Sequence, residues 1–172
     1  MGEWDHSVSG SAGIYHYNKG TDQMFLGLEN KFKKDKLSLA VFGGVSNNSN
    51  NDPALLVDLK ESYKYDNKGI FSNNIRVRNT ITDGSNTTQI RVSPFTVNIP
   101  ITKNTSAYLN THYVGKYNYN TKEYNQGAGA FLGGEIKFGS SSLDVEVQRY
   151  NIQNWKKHAG NWGVNAIYTI NF

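Results

Sequence analysis

Arg76 and Arg78 stand two residues apart, and Arg91 follows on the far side of the turn-forming stretch DGSN at 83–86. On the same face of neighbouring strands these three guanidiniums would form a fixed cationic wall, since arginine does not deprotonate in proteins and pairs readily with anions. The acidic counterpart is Glu135, Asp144 and Glu146, joined across the stretch GSSS at 139–142. Lys60, Lys64, Glu29 and Asp58 fall in the same polar phase, with Lys31, Lys116 and Lys137. A basic wall opposite an acidic wall can line a passage, or it can pair up and fill it. The four histidines, His6, His16, His112 and His158, are scattered. No Asp–His or Ser–His–acid cluster assembles from them, so no catalytic residues are expected and the chain is not expected to be an enzyme. His112 is expected to be a hydrogen-bonding group of the interior. With no cysteine and no His-rich spacing, neither a metal site nor a disulfide is expected. No cofactor is expected either.

The elements that must position these charges are strands. Helical spacing of apolar residues never persists for two turns, whereas alternation recurs in ten segments: 6–18, 22–33, 36–46, 54–66, 69–82, 87–101, 106–119, 123–138, 141–153 and 161–172. Turn formers separate them, such as NKGTD at 18–22, DNKG at 66–69 and NTKE at 120–123. Ten strands joined by short connections make an antiparallel meander, and closing it into a barrel removes the sheet edges. Pro94 falls where the apolar phase shifts from Ile90 and Val92 to Phe95, Val97 and Ile99, which predicts a β-bulge.

Alternation does not say which face points inward, but three features favour apolar residues on the outside. The segments exceed the roughly 9–11 residues that a tilted strand needs to cross a bilayer. Aromatic residues gather at segment ends: Tyr63, Tyr65, Tyr117, Tyr119, Tyr124, Trp155, Trp162, Tyr168 and Phe172. The other face is rich in Gly, Ser, Asn and Thr with mixed charges, which suits a confined wet lumen. The last segment, NWGVNAIYTINF, alternates Trp162, Val164, Ala166, Tyr168 and Ile170 and ends on Phe172, with Ile167 out of phase. That strand, on Tyr168, Ile170 and Phe172, resembles the terminal strand of bacterial outer-membrane β-barrel proteins. The resemblance is to that class in general, of small porin-like size, and implies insertion in a bacterial outer membrane.

The expected fold class is therefore all-β: one domain over 1–172, an up-and-down antiparallel transmembrane barrel of about ten strands. The lumen-phase charges are eight cations and five carboxylates, leaving the lumen three positive. This predicts a narrow, weakly anion-preferring channel for ions or small charged solutes, lined by Arg76, Arg78, Arg91, Lys60, Lys64, Glu29, Asp58, Glu135, Asp144 and Glu146. Two alternatives stand: a structural or partner-binding barrel with a plugged lumen, and a soluble lipid-binding-like barrel. The expected partners are membrane lipid and small charged solutes. Nucleic acid is not among them, because the net charge of +4 is dispersed. No apolar leader follows Met1, so a signal peptide is expected to have been removed before this point. Glu61 falls in the outward phase, a costly place for a carboxylate at mid-bilayer. A bulge in that strand, a partner subunit near it, or a different register is expected. The two longest breaks, at 47–53 and 154–160, are expected at the end opposite the termini.

Overall fold

The computed structural model describes residues 3–17, 22–48, 53–151 and 162–172. Its ten strands are β1 (Asp5–Tyr17), β2 (Gln23–Lys34), β3 (Leu37–Asn48), β4 (Pro53–Lys64), β5 (Phe71–Ile81), β6 (Asn86–Pro100), β7 (Thr105–Asn118), β8 (Glu123–Phe138), β9 (Ser141–Asn151) and β10 (Trp162–Asn171). Each pairs antiparallel with its sequence neighbours, and β1 pairs with β10 to close the barrel. No edge is left: the backbone N–H of the terminal Phe172 still donates to Val8 O at 3.0 Å. All ten expected segments are strands, with ends displaced by a few residues. The DGSN, NTKE and GSSS stretches reverse the chain as their residue types predict. At 118–122 the Asn118 side chain accepts from the backbone N–H groups of Asn120 and Thr121, and Gly139 opens the β8–β9 turn at φ +64°.

The phase shift at Pro94 is a bulge. Pairing of β6 with β7 slips between Val92 and Phe95, and its pairing with β5 slips between Ser72 and Asn74. The extra residue lies on β6, where proline's missing N–H costs no ladder bond. It keeps Ile90, Val92, Phe95 and Ile99 all on the outer face.

That outer face is apolar. Leu26, Leu28, Val41, Val45, Leu55, Leu59, Leu109, Leu132 and Val147 all stand exposed around the wall. Rings gather at its two ends. At the end bearing the termini, Tyr63 packs on Tyr65 (5.9 Å), Tyr65 on Phe95 (6.0 Å) and Phe138 on Tyr168 (6.0 Å). At the far end Tyr117 packs on Tyr119 (5.0 Å), and Trp162 and Tyr124 are exposed nearby. An apolar band between aromatic girdles fits a bilayer and would be a large unsolvated patch in water. Trp155 lies outside the described residues.

The polar phase faces inward, but the interior also holds an apolar cluster. Tyr15, Phe25, Phe42 and Leu56, from β1 to β4, form a buried cluster. Ile167, the out-of-phase residue of β10, packs against it. Its position in the strand is explained by this contact. Glycines make the room: a Cβ on Gly27 would stand 2.2 Å from Phe42 Cζ.

The two breaks expected at the end opposite the termini, 47–53 and 154–160, lie largely outside the described residues. One expectation is corrected. Glu61 does point outward, between Leu39 and Ile75, and no bulge lies in β4. It is one inward–outward repeat from Tyr63 of the terminal-end girdle rather than at mid-barrel, and near an interface the cost of an outward charge falls to roughly 0–1 kcal/mol.

Candidate functional site

The site is the polar part of the lumen, and register builds it. Asp58 pairs with Arg78 and Lys60 with Arg76 across β4 and β5; Arg76 pairs with Arg91 across β5 and β6. All five side chains therefore share the inner face, since pairing partners point the same way. Asp58 is 1% exposed. Arg78 donates from Nε to Asp58 Oδ1 at 2.8 Å and from Nη2 to Oδ2 at 2.9 Å. Arg76 donates to Oδ2 from Nε at 3.0 Å and also from Nη2. One carboxylate thus clamps two guanidiniums through charge-assisted hydrogen bonds. On β2 and β4, Lys60 Nζ lies 2.6 Å from Glu29 Oε2, reaching past the small Ala40 and beside Phe42.

The acidic wall is organised by a tyrosine. Tyr108 of β7 holds its hydroxyl 2.7 Å from Asp144 Oδ1 and 2.9 Å from Glu146 Oε2. It lies across Gly133, its cross-strand partner, where a Cβ would stand 2.4 Å from its ring. Asn165 Nδ2 of β10 donates to Glu146, and Gln148 Nε2 donates to Asn165 Oδ1 at 3.5 Å. Between the two walls, His112 stacks on Phe131 at 4.3 Å and the Arg91 guanidinium lies 4.7 Å over the same ring. His112 is buried against Gly129, its partner on β8.

Two cavities run through this part. The far-end cavity, about 400 Å³, reaches from Gln23, Thr87 and Lys116 down to Arg76, Arg91, Tyr108, Asp144 and Glu146. The terminal-end cavity, about 460 Å³, is lined by the same last five residues and opens past Asn98, Ser106 and Glu135. Those five residues are the neck between the cavities.

The ten expected lining residues are distributed as follows. Arg76, Arg91, Asp144 and Glu146 form the neck, and Arg78 lines the far-end cavity. Lys60 and Glu135 line the terminal-end cavity, Glu135 being 3.3 Å from Lys137. Glu29 and Asp58 border a smaller pocket of about 170 Å³ against the aromatic cluster. Lys64 is exposed at the terminal rim and lines none of these cavities. Of the two readings of the three arginines, an open wall or paired charges, Asp58 gives Arg76 and Arg78 the paired one. Sequence reading missed Tyr108, Asn165, Gln148 and Phe131. The signal for Tyr108 and His112 was present, since each falls opposite a glycine once β7 and β8 are put in hairpin register.

Among the described residues no group of three or more His, Asp or Glu is placed to hold a metal ion. His16 Nδ1 lies 2.8 Å from Asp22 Oδ1 at the far-end rim, both side chains more than half exposed. His6 lies 3.3 Å from Asn30 and stacks on Phe32. His158 lies outside the described residues.

No protein-family model and no curated protein sequence matches the chain. Solved structures do. The COG4313 outer membrane channel from Pseudomonas putida F1 is 9% identical, with a TM-score of 0.52 over 96% of this chain and 95% of that one. The KdgM porin is 12% identical, with a TM-score of 0.48 over 95% and 99%. A de novo designed transmembrane β-barrel is 13% identical, with a TM-score of 0.45 over 96% and 95%. With its apolar outer band, its two girdles and this likeness, the chain has the fold of an outer-membrane β-barrel: ten antiparallel strands, closed, with a partly polar lumen.

Proposed function

We propose that this protein sits in a bacterial outer membrane and forms a narrow, water-filled passage for ions or small charged solutes, with a weak preference for anions, and that it is not an enzyme. The observation that carries the reading is the pair of cavities meeting at Arg76, Arg91, Tyr108, Asp144 and Glu146. Their linings are polar, and water can be continuous through a polar cavity of this size. The anion preference follows from where the charges are compensated. Asp58 offsets one of its two arginines, Glu29 offsets Lys60, and Glu135 offsets Lys137. Lys116 lines the far-end cavity and Lys31 and Lys64 stand exposed at the terminal rim, and such cations raise the local anion concentration. A structural barrel with a plugged lumen is the second reading, favoured by the packed Tyr15–Phe25–Phe42–Leu56 cluster.

Planar-bilayer recording of refolded protein across a salt gradient tests this. The expected result is a stable small conductance with its reversal potential on the anion side, moved toward cations by Lys64→Glu with Lys116→Glu. These lysines are better probes than Arg76 and Arg78, whose reversal would bury three carboxylates around position 58. Correctly folded protein that conducts nothing would establish the plugged reading instead.

A further inference from the structure

We infer that the neck selects solutes that carry a cationic and an anionic group together, zwitterions of the amino-acid class, over uncharged solutes of the same size. The inference rests on the passage proposed above and adds the substrate class. At the neck both cavities meet two guanidiniums, Arg76 and Arg91, and two carboxylates, Asp144 and Glu146. Asp58, which offsets the arginines, lines neither cavity; it lies behind them at 1% exposure. A solute in the neck therefore faces as many positive as negative groups, and they stand on different walls. The cations project from β5 and β6 and the carboxylates from β9, with β7 and β8 between.

Such a neck has little net charge but a strong transverse field. A lone ion gains from one wall what it loses to the other, whereas a solute with opposite charges at its two ends gains from both. The walls are also fixed before any solute arrives. The Arg91 guanidinium lies over the Phe131 ring, Arg76 is held at two points by Asp58, and Tyr108, set into Gly133, holds Asp144 and Glu146 together. Preset dipoles of this kind can replace the hydration that a zwitterion gives up on entering a narrow lumen, without reorganising. The lysines at the two mouths set the weak ion preference, and the neck sets the preference for dipoles.

Osmotic swelling of proteoliposomes in β-alanine or in its uncharged isomer lactamide isolates the effect, because the two have one formula and neither needs a counter-ion. The expected result is β-alanine entering about threefold faster than lactamide. Neutralising either wall, by Asp144→Asn with Glu146→Gln or separately by Arg91→Gln, brings the ratio to one or below. Heat-modifiable gel mobility checks folding of each, and because the walls are altered separately, one misfolded variant leaves the other and the wild-type ratio to decide. Lactamide entering at least as fast as β-alanine through the wild type would overturn this inference while leaving the passage intact. So would a ratio that survives neutralisation of a wall. Failure of both solutes to enter would remove the passage, and this inference with it.

Discussion

Asp58→Asn is the sharpest structural perturbation available in this lumen. The substitution keeps the shape and one acceptor but removes the charge that two guanidiniums share. Asp58 is 1% exposed, and the Arg76 and Arg78 side chains are 18% and 13% exposed. Removing one partner of a buried ion pair costs about 3–5 kcal/mol, because the other charge is left uncompensated. Two features set the size here. Both arginines border water-accessible cavities, which lowers the cost of each, but two of them are stranded instead of one. The lower end, about 3 kcal/mol, is the expected loss. With a urea slope of about 1–3 kcal/mol/M for a small domain, the unfolding midpoint should fall by roughly 1–3 M. Urea titration in detergent micelles, followed by tryptophan fluorescence and by heat-modifiable mobility, reads this directly. Glu29→Gln is the comparison, since its pair with Lys60 is 18% and 33% exposed and is expected to contribute about 1 kcal/mol or less. An Asp58→Asn protein as stable as the wild type, or no less stable than Glu29→Gln, would refute the clamp.

The remaining predictions concern other parts of the wall. Phe42→Ala empties the slot over Gly27 and should cost about 3–5 kcal/mol by the same titration, while Gly27→Ala drives a methyl into the Phe42 ring and should cost about 1–3 kcal/mol. Asp66, in the β4–β5 connection outside the barrel wall, accepts from the backbone N–H of Phe71 at 2.6 Å and of Ile70 at 3.1 Å, and these bonds hold its carboxyl below its ordinary 3.8. Because the folded state favours the carboxylate, its contribution to stability is present above the ordinary carboxylate range and lost as pH falls through the lowered value. Asp66→Asn should therefore flatten the difference in stability between pH 5 and pH 2.5. Glu61→Leu removes an outward charge one repeat from the girdle and should raise stability by about 0–1 kcal/mol. If a partner subunit meets the barrel there, the substitution will also change the oligomeric state in sedimentation.

The architecture was legible because three independent signals agree along the chain. Period-two alternation fixes strand positions, turn residues fix the reversals, and rings at segment ends fix the orientation to the bilayer. The bulge at Pro94 could be read because proline and a phase shift coincide at one point. The lumen was legible only as a list of inward charges. Which charge meets which depends on register: Asp58 lies opposite Arg78, and Arg76 reaches diagonally to the same carboxylate. The pairing of Glu29 with Lys60 skips a whole strand and depends on Ala40 being small. The buried aromatics Phe25, Phe42 and Phe131 were hidden because alternation makes an inward aromatic look like noise. For the first two the trace is a small residue beside each: Gly13 lies opposite Phe25, and Gly27 and Gly44 flank Phe42. Glu61 was legible as outward, but its depth was not, because depth follows from strand tilt and girdle position.

The most direct test of the account is to label the two faces of the wall. The chain has no cysteine, so each single substitution introduces a unique thiol. Thr80→Cys and Gln89→Cys place it in the far-end cavity, and Val45→Cys and Leu132→Cys place it on the outer band. In liposome-reconstituted protein recorded across a planar bilayer, a charged, membrane-impermeant thiol reagent should modify the first pair and reduce the conductance in a step. It should leave the second pair unmodified and the current unchanged. Modification of Val45→Cys and Leu132→Cys, with Thr80→Cys and Gln89→Cys protected, would mean that the outer face is the wet one, and would contradict the account at its centre.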